Sequence, residues 1–187
     1  MIPIRNRKKT LQATVDEMRN FALSYVEKYA PSKQQLRTYL LKKYLKSSVP
    51  NVKKQDIASL IDVVLYDLEK SRFINDKFYS ESKAKSMIQR GNSINKIRNY
   101  LIGKGINNQF IKDTVEKIHK DNSDQDFFSA IKICKKKRIG PARTEDNRPL
   151  FYKKDISLLA RNGFDFETSK KVMELKKDDY LKIINLL

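Results

Sequence analysis

The feature that most constrains this chain is internal repetition. Ser32, Leu36, Arg37, Tyr39, Leu40 and Lys43 return, at a constant spacing of 61 residues, as Ser93, Ile97, Arg98, Tyr100, Leu101 and Lys104. A third, weaker copy is Leu158-Leu159-Ala160-Arg161-Asn162-Gly163-Phe164, which matches Tyr100-Leu101-Ile102-Gly103-Lys104-Gly105-Ile106. A repeated unit of this length cannot bury its apolar side alone, so neighbouring copies must cover one another. The expectation is an all-α chain of three tandem three-helix repeats forming an elongated, curved array. Arrays of this kind present binding surfaces more often than reaction vessels.

The apolar periodicity places the helices. Val15, Met18, Ala22, Tyr25 and Val26 follow helical spacing behind Thr14, which with Glu17 makes a capping box, and Pro31 ends the helix. Ser32 caps a second helix with the stripe Leu36, Tyr39, Leu40 and Tyr44. The segment from Ser47 to Asn51 reads as a loop, and a third helix begins near Lys53. The second unit opens at Asn75 with Phe78, Tyr79 and Met87 facing inward. Gly91 ends that helix, Ser93 caps the next, Gly105 ends it, and Asn107 or Asn108 opens the last. In the third unit Ser123 is the expected cap of a helix holding Phe127, Phe128, Ile131 and Cys134. An irregular basic stretch over 135–148 follows, with Arg148-Pro149 read as a break. A helix from about Tyr152 to Asn162 and a last one through Phe166, Val172 and Met173 come next. The expected boundaries are a basic arm over 1–13, repeats over 14–72, 73–121 and 122–177, and an apolar segment over 178–187 docked on the last helix.

Charge narrows the partners. The 187 residues hold 40 Lys and Arg against 22 Asp and Glu, a formal charge of +18. Such an excess favours polyanions, and nucleic acid is the commonest for a soluble chain. One cysteine, Cys134, excludes an internal disulfide framework and a multi-cysteine zinc site. No apolar run reaches the roughly 18 residues that would span a bilayer, and no signal-peptide core follows the basic N-terminus. The sequence therefore points to a cytoplasmic protein without membrane partners.

Catalytic constellations are poorly supported. The single histidine, His119, falls at a helix end, where capping or exposure explains it. Cys134 has basic neighbours but reads as a small core residue. Gly103-Lys104-Gly105 lacks the leading glycine and following hydroxyl of a phosphate loop, so helix capping explains it better. Asp121 to Asp126 opens like a calcium loop but has no glycine at the sixth position and Lys132 in place of the closing Glu. The reading is of a non-enzyme that needs no cofactor and no metal.

Basic clusters are the stronger signal. Arg5, Arg7, Lys8 and Lys9 form one; Lys132, Lys135, Lys136, Lys137, Arg138, Arg143 and Arg148 form another. Arg37 and Arg98, with Lys43 and Lys104, hold equivalent repeat positions and would face the same way in a stacked array. The candidate contacts for DNA or a partner are therefore Arg37, Lys43, Arg98, Lys104, Lys135, Lys136, Lys137, Arg138, Arg143 and Arg148. Tyr39 and Tyr100 border the apolar stripe and read as packing residues more than as stacking platforms for bases.

Taken in order, several segments resemble the RecX family, regulators of the bacterial recombinase RecA. They are Ala22-Leu23-Ser24-Tyr25 before a Pro-Ser turn; Ser32, Leu36, Arg37, Leu40 and Lys43; Asn75-Asp76 with Phe78-Tyr79; Ile97-Arg98, Leu101 and Lys104-Gly105-Ile106; and Leu159-Ala160-Arg161-Asn162-Gly163-Phe164. Arg138-Ile139-Gly140-Pro141-Ala142-Arg143 is similar to an insert found in one branch of that family. The resemblance implies a curved array of three-helix repeats that binds the RecA–single-stranded DNA filament and modulates, mostly inhibits, its ATP hydrolysis, strand exchange and coprotease activity. Expected partners are RecA and single-stranded DNA, with double-stranded DNA as a further candidate, and the expected state is a monomer. Tyr44 departs from the pattern by standing where the second repeat has Gly105. Two other readings stay open on the residues alone: a non-specific nucleic-acid binder with no recombinase partner, and a nuclease built on Asp124 and Asp126.

Overall fold

Local end signals set most of the helices of this chain, whose computed structural model describes residues 11–46 and 53–187. Among the described residues there are ten α-helices and one 3-10 turn. They are α1 (Val15–Tyr29), α2 (Lys33–Lys46), α3 (Lys54–Lys70), α4 (Asp76–Gln89), α5 (Ile94–Gly103), α6 (Asn108–Asp121), α7 (Gln125–Lys137), the 3-10 turn Gly140–Ala142, α8 (Asn147–Arg161), α9 (Phe166–Met173) and α10 (Lys177–Leu186). The chain is all-α. The basic cluster Arg5, Arg7, Lys8 and Lys9 and the loop from Ser47 to Asn51 lie outside the described residues.

Caps account for the starts. Thr14 Oγ1 accepts the Glu17 N–H, and Ser32 Oγ accepts that of Gln35 while the Gln35 side chain accepts the Ser32 N–H. Ser93, Asn107 and Asp165 cap α5, α6 and α9 in the same manner. The ends of α4, α5 and α8 turn through left-handed glycines, Gly91, Gly105 and Gly163. The next residue's N–H then reaches back five residues, as Ile106 does to the Leu101 carbonyl and Phe164 to that of Leu159.

The helices fall into two compact units, Met1–Tyr79 and Ser80–Leu187. In the first, α1, α2 and α3 pack against one another in pairs. Met18, Ala22, Leu36, Leu40, Tyr44, Ile57, Ile61, Val64, Leu65, Leu68 and Ile74 form its core. Each large side chain buried there is worth roughly 1.5–3 kcal/mol. Tyr39, half-buried, stacks on Tyr25 with ring centroids 4.0 Å apart, so it is a packing residue. The Tyr44 hydroxyl donates to Glu17, and its burial beside that carboxylate raises the phenol well above its usual range.

In the second unit α5 packs on α6, while α7, α8, α9 and the 3-10 turn surround a separate core of Ala130, Ile131, Ile133, Cys134, Ile139, Leu159, Phe164, Val172, Met173 and Tyr180. Two carboxylates perform one repeated task. Asp76 accepts the Lys33 N–H at the first turn of α2, and Asp126 accepts the Ile94 N–H at the first turn of α5, both at 2.8 Å. Burial holds both above the ordinary carboxylate range, with the N–H bond working the other way.

Several expectations need correction. Phe78 is 70% exposed, so it joins no core. Ser123 does not cap α7; Asp124 holds the cap position, and the Asn122 side chain accepts its N–H. The helix placed at Tyr152 begins at Asn147, because Pro149 lies in its first turn, where a missing N–H costs nothing. The C-terminal segment is a helix, α10, that docks chiefly on α7 and the 3-10 turn through Tyr180, Ile183 and Ile184.

Candidate nucleic-acid and partner interface

The candidate cations divide by what holds them. Arg37 lies on α2 and makes a two-pronged pair with Asp62 of α3, 2.8 Å from Nε and 3.1 Å from Nη2. That contact pulls the Asp62 carboxyl below its usual range. Arg98, at the equivalent position of α5, is exposed and donates to Asn95 on its own helix at 3.2 Å. Lys43 and Lys104 share a different feature. The Lys43 ammonium sits 3.7 Å from the centre of the Phe21 ring, and that of Lys104 sits 5.2 Å from Tyr100.

Lys135, Lys136, Lys137 and Arg138 end α7 as four exposed cations in a row. Cations in a last turn are favoured by the helix dipole, so local physics places them there without a partner's help. Arg138 itself takes the left-handed conformation, φ 54°, and the Ile139 N–H bonds the Cys134 carbonyl behind it. Ile139 is thereby tucked into the core while the four cations stay outside.

Arg143 and Arg148 have internal duties instead. Arg143 grips Asp155 with two bonds, 2.7 and 2.9 Å, and its guanidinium plane lies 4.4 Å from the centre of the Phe151 ring. Asp155 is 1% exposed and also accepts the Gly140 N–H at 2.9 Å. Burial alone would raise this carboxyl, but the Arg143 guanidinium and the Gly140 N–H together hold it below its usual range. Arg148 Nη2 donates to the carbonyls of Met173 and Leu175, at 2.6 and 2.7 Å, satisfying the end of α9. Lys177 of α10 reaches the Pro141 carbonyl at 3.3 Å. The basic stretch is thus two structures: an outward row over 135–138 and an inward clamp built by Arg143, Arg148 and Lys177.

Sequence reasoning missed Asp155, Phe151 and Lys177. A signal for the first existed: Phe151, Asp155 and Leu159 lie four residues apart on α8, so an acid interrupts an apolar stripe. A buried acid needs a cation, and Arg143, twelve residues upstream, supplies it. The residues weighed for catalysis have other roles. Cys134 is fully buried and its thiol is pushed up to about 12 by burial and then by Asp155, which leaves it unreactive at neutral pH. His119 is exposed at the end of α6, and Gly103-Lys104-Gly105 closes α5. Asp126 accepts the Ile94 N–H described above. Among the described residues no helix is long and apolar enough to cross a membrane.

Comparison with known proteins adds to this geometry. No family model matches the chain. It is 30% identical to the regulatory protein RecX of Myxococcus xanthus over 177 residues, covering 91% of each chain. It is 26% identical to the regulatory protein RecX of Clostridium botulinum over 156 residues, covering 83% of this chain and 66% of that one. The crystal structure of RecX from Lactobacillus salivarius matches with a TM-score of 0.60 at 17% identity, covering 92% of this chain and 97% of that one. A second crystal structure of regulatory protein RecX matches at 0.60 and 19% identity, covering 86% and 74%. The solved structures share the helical fold, and the relation to the Myxococcus protein runs along almost the whole of both sequences: the chain belongs to the RecX family.

Proposed function

We propose that this chain is a regulatory protein that binds RecA–single-stranded DNA filaments and modulates, mostly inhibits, RecA activity in homologous recombination, DNA repair and the SOS response. It acts by binding and not by catalysis. It works as a monomer in the cytoplasm, and its three helical repeats stack into a curved array. The observation that carries this reading is family membership across nearly the whole chain. The charge of +18 and the exposed row Lys135, Lys136, Lys137 and Arg138 support the DNA half of it. Exposed cations release counterions from phosphates, and they steer a basic protein onto a nucleoprotein filament at rates that fall with salt. Arg37, Lys43, Arg98 and Lys104 are further candidate contacts. Arg143 and Arg148 belong to the same candidate set, although both are also bonded within the fold. Occupying the filament biases it only through unequal affinity for its states.

The test is RecA's single-stranded-DNA-dependent ATP hydrolysis, titrated with this protein at moderate salt. The expected result is inhibition at amounts well below those of RecA, weakened when Lys135, Lys136, Lys137 and Arg138 are all changed to Glu. Inhibition only once the DNA is fully coated would show competition for phosphates and favour a non-specific nucleic-acid binder with no recombinase partner.

A further inference from the structure

The two clear repeats differ at one matched place. In the first, the outer face between α2 and α3 is closed by the Arg37–Asp62 pair, and Leu41 beside it packs against the core. Ile57, Ile61 and Val64 of α3 align with Ile111, Val115 and Ile118 of α6, so Asp62 corresponds to Glu116, Arg37 to Arg98 and Leu41 to Ile102. In the second repeat the closure is missing. Arg98 turns back to Asn95, and Glu116 lies 3.9 Å from Lys112 on its own helix. Ile102 is 53% exposed.

What remains between α5 and α6 is an open cleft of about 400 Å³. Ile102, Ile111 and Val115 supply its apolar lining, and Arg98, Lys112 and His119 border it together with one acid, Glu116, which is paired with Lys112. The Lys112–Glu116 pair is long and mostly exposed, so it holds the rim only weakly. The first repeat shows what satisfies an arginine at this position, namely a carboxylate taken by both prongs. It also shows that the neighbouring aliphatic side chain is normally covered.

We propose that the α5–α6 cleft docks a segment of a partner protein that carries an aliphatic side chain next to a carboxylate. The aliphatic group covers Ile102, and the carboxylate takes the Arg98 guanidinium as Asp62 takes that of Arg37. Nucleic acid fits the cleft less well. A phosphate could meet Arg98, but the only ring at the cleft is the exposed His119 imidazole at its border, and a base stacked there would leave Ile102 wet. This surface shares no lining residue with the Lys135–Arg138 row and does not depend on which protein the partner is.

The experiment uses the full chain and fluorescence anisotropy with three labelled probes: an acidic peptide bearing two leucines one helical turn apart, the same peptide with both leucines replaced by serine, and a short oligothymidylate. The leucine peptide is expected to bind about tenfold more tightly than the serine one, since covering part of Ile102 is worth on the order of 1.4 kcal/mol. Ile102→Glu and Arg98→Gln should each weaken the leucine peptide by about tenfold. Ile102→Glu should leave oligothymidylate binding unchanged. Ile102 is half exposed, so its replacement empties no core; far-UV circular dichroism checks the fold, and Ile102→Ser serves if the charged variant is unstable. Absent binding of the leucine peptide, equal binding of both peptides, or indifference to Ile102→Glu would each overturn the proposal. Equal losses of peptide and oligothymidylate in Ile102→Glu would reassign the cleft to nucleic acid.

Discussion

Asp155 is a charged residue placed where α8 would otherwise bury a Leu or Val, and its neighbours exist to make that tolerable. Removing Arg143 leaves a buried, half-satisfied carboxylate, so Arg143→Ala should cost about 3 kcal/mol in urea unfolding. The pair also sets a pH dependence. Asp155 and Asp62 are both held below the ordinary carboxylate value. Their stabilisation is complete above the unfolded value of about 3.9 and is lost as pH falls through the lower folded values. Asp76 and Asp126 have the opposite sign, being raised, so acidification relieves a cost there and removes no stabilising contact. Unfolding midpoints followed from pH 7 to pH 3 should therefore fall mainly below pH 4, and less steeply in Arg143→Ala. A contrasting site is Ser169, 1% exposed, whose hydroxyl has no partner. Ser169→Ala should be neutral or stabilise by up to about 1 kcal/mol, since it removes a buried polar group left unbonded. A loss above that in thermal unfolding would show that the hydroxyl does bond.

At the scale of elements, the ends of helices matter as much as their faces. Gly163 closes α8 with φ at +87°, and a Cβ there would lie 2.5 Å from Ser93 Oγ, the cap of α5. That hydroxyl already donates to the Asn162 carbonyl at 2.7 Å, so the end of one helix and the start of another are fitted together. Gly163→Ala should cost at least about 1–2 kcal/mol from the left-handed backbone alone, with the steric clash added. A change in thermal midpoint of less than a degree would contradict this. Much of this level was legible beforehand. Thr14, Ser93, Gly91, Gly105 and Gly163 act locally, through bonds within a few residues, and so they show in the sequence. What failed depended on distant partners or on tolerance. Pro149 was read as a break because prolines usually are, although a first helical turn accepts one. Phe78 has the right spacing for a core but meets none.

For the molecule as a whole, the candidate interface was legible as charge and illegible as geometry. Composition identifies a polycation, yet only the fold separates Lys135, Lys136, Lys137 and Arg138, which face solvent, from Arg143 and Arg148, which bind internal oxygens. No spacing rule distinguishes the two sets, because the partners Asp155, Met173 and Leu175 come from elsewhere in the chain. The distinction has a measurable form. Changing the four outward cations to Ala should weaken single-stranded DNA binding and flatten its salt dependence, by up to about 3 in the slope of log K against log salt. Thermal stability should scarcely move. Arg148→Ala should do the reverse, lowering stability while leaving the slope intact. A salt slope that ignores the four substitutions would remove this row from the interface.

Cys134 has a practical corollary. The chain's single sulfhydryl is sealed inside the second unit, so thiol reagents should find no target in the native protein and one equivalent per chain once that unit opens. The rate of modification by a colorimetric disulfide then clocks opening without any engineered probe. A cysteine introduced on the surface would be the sole labelling position, and a dye placed there would report partner engagement against a silent background.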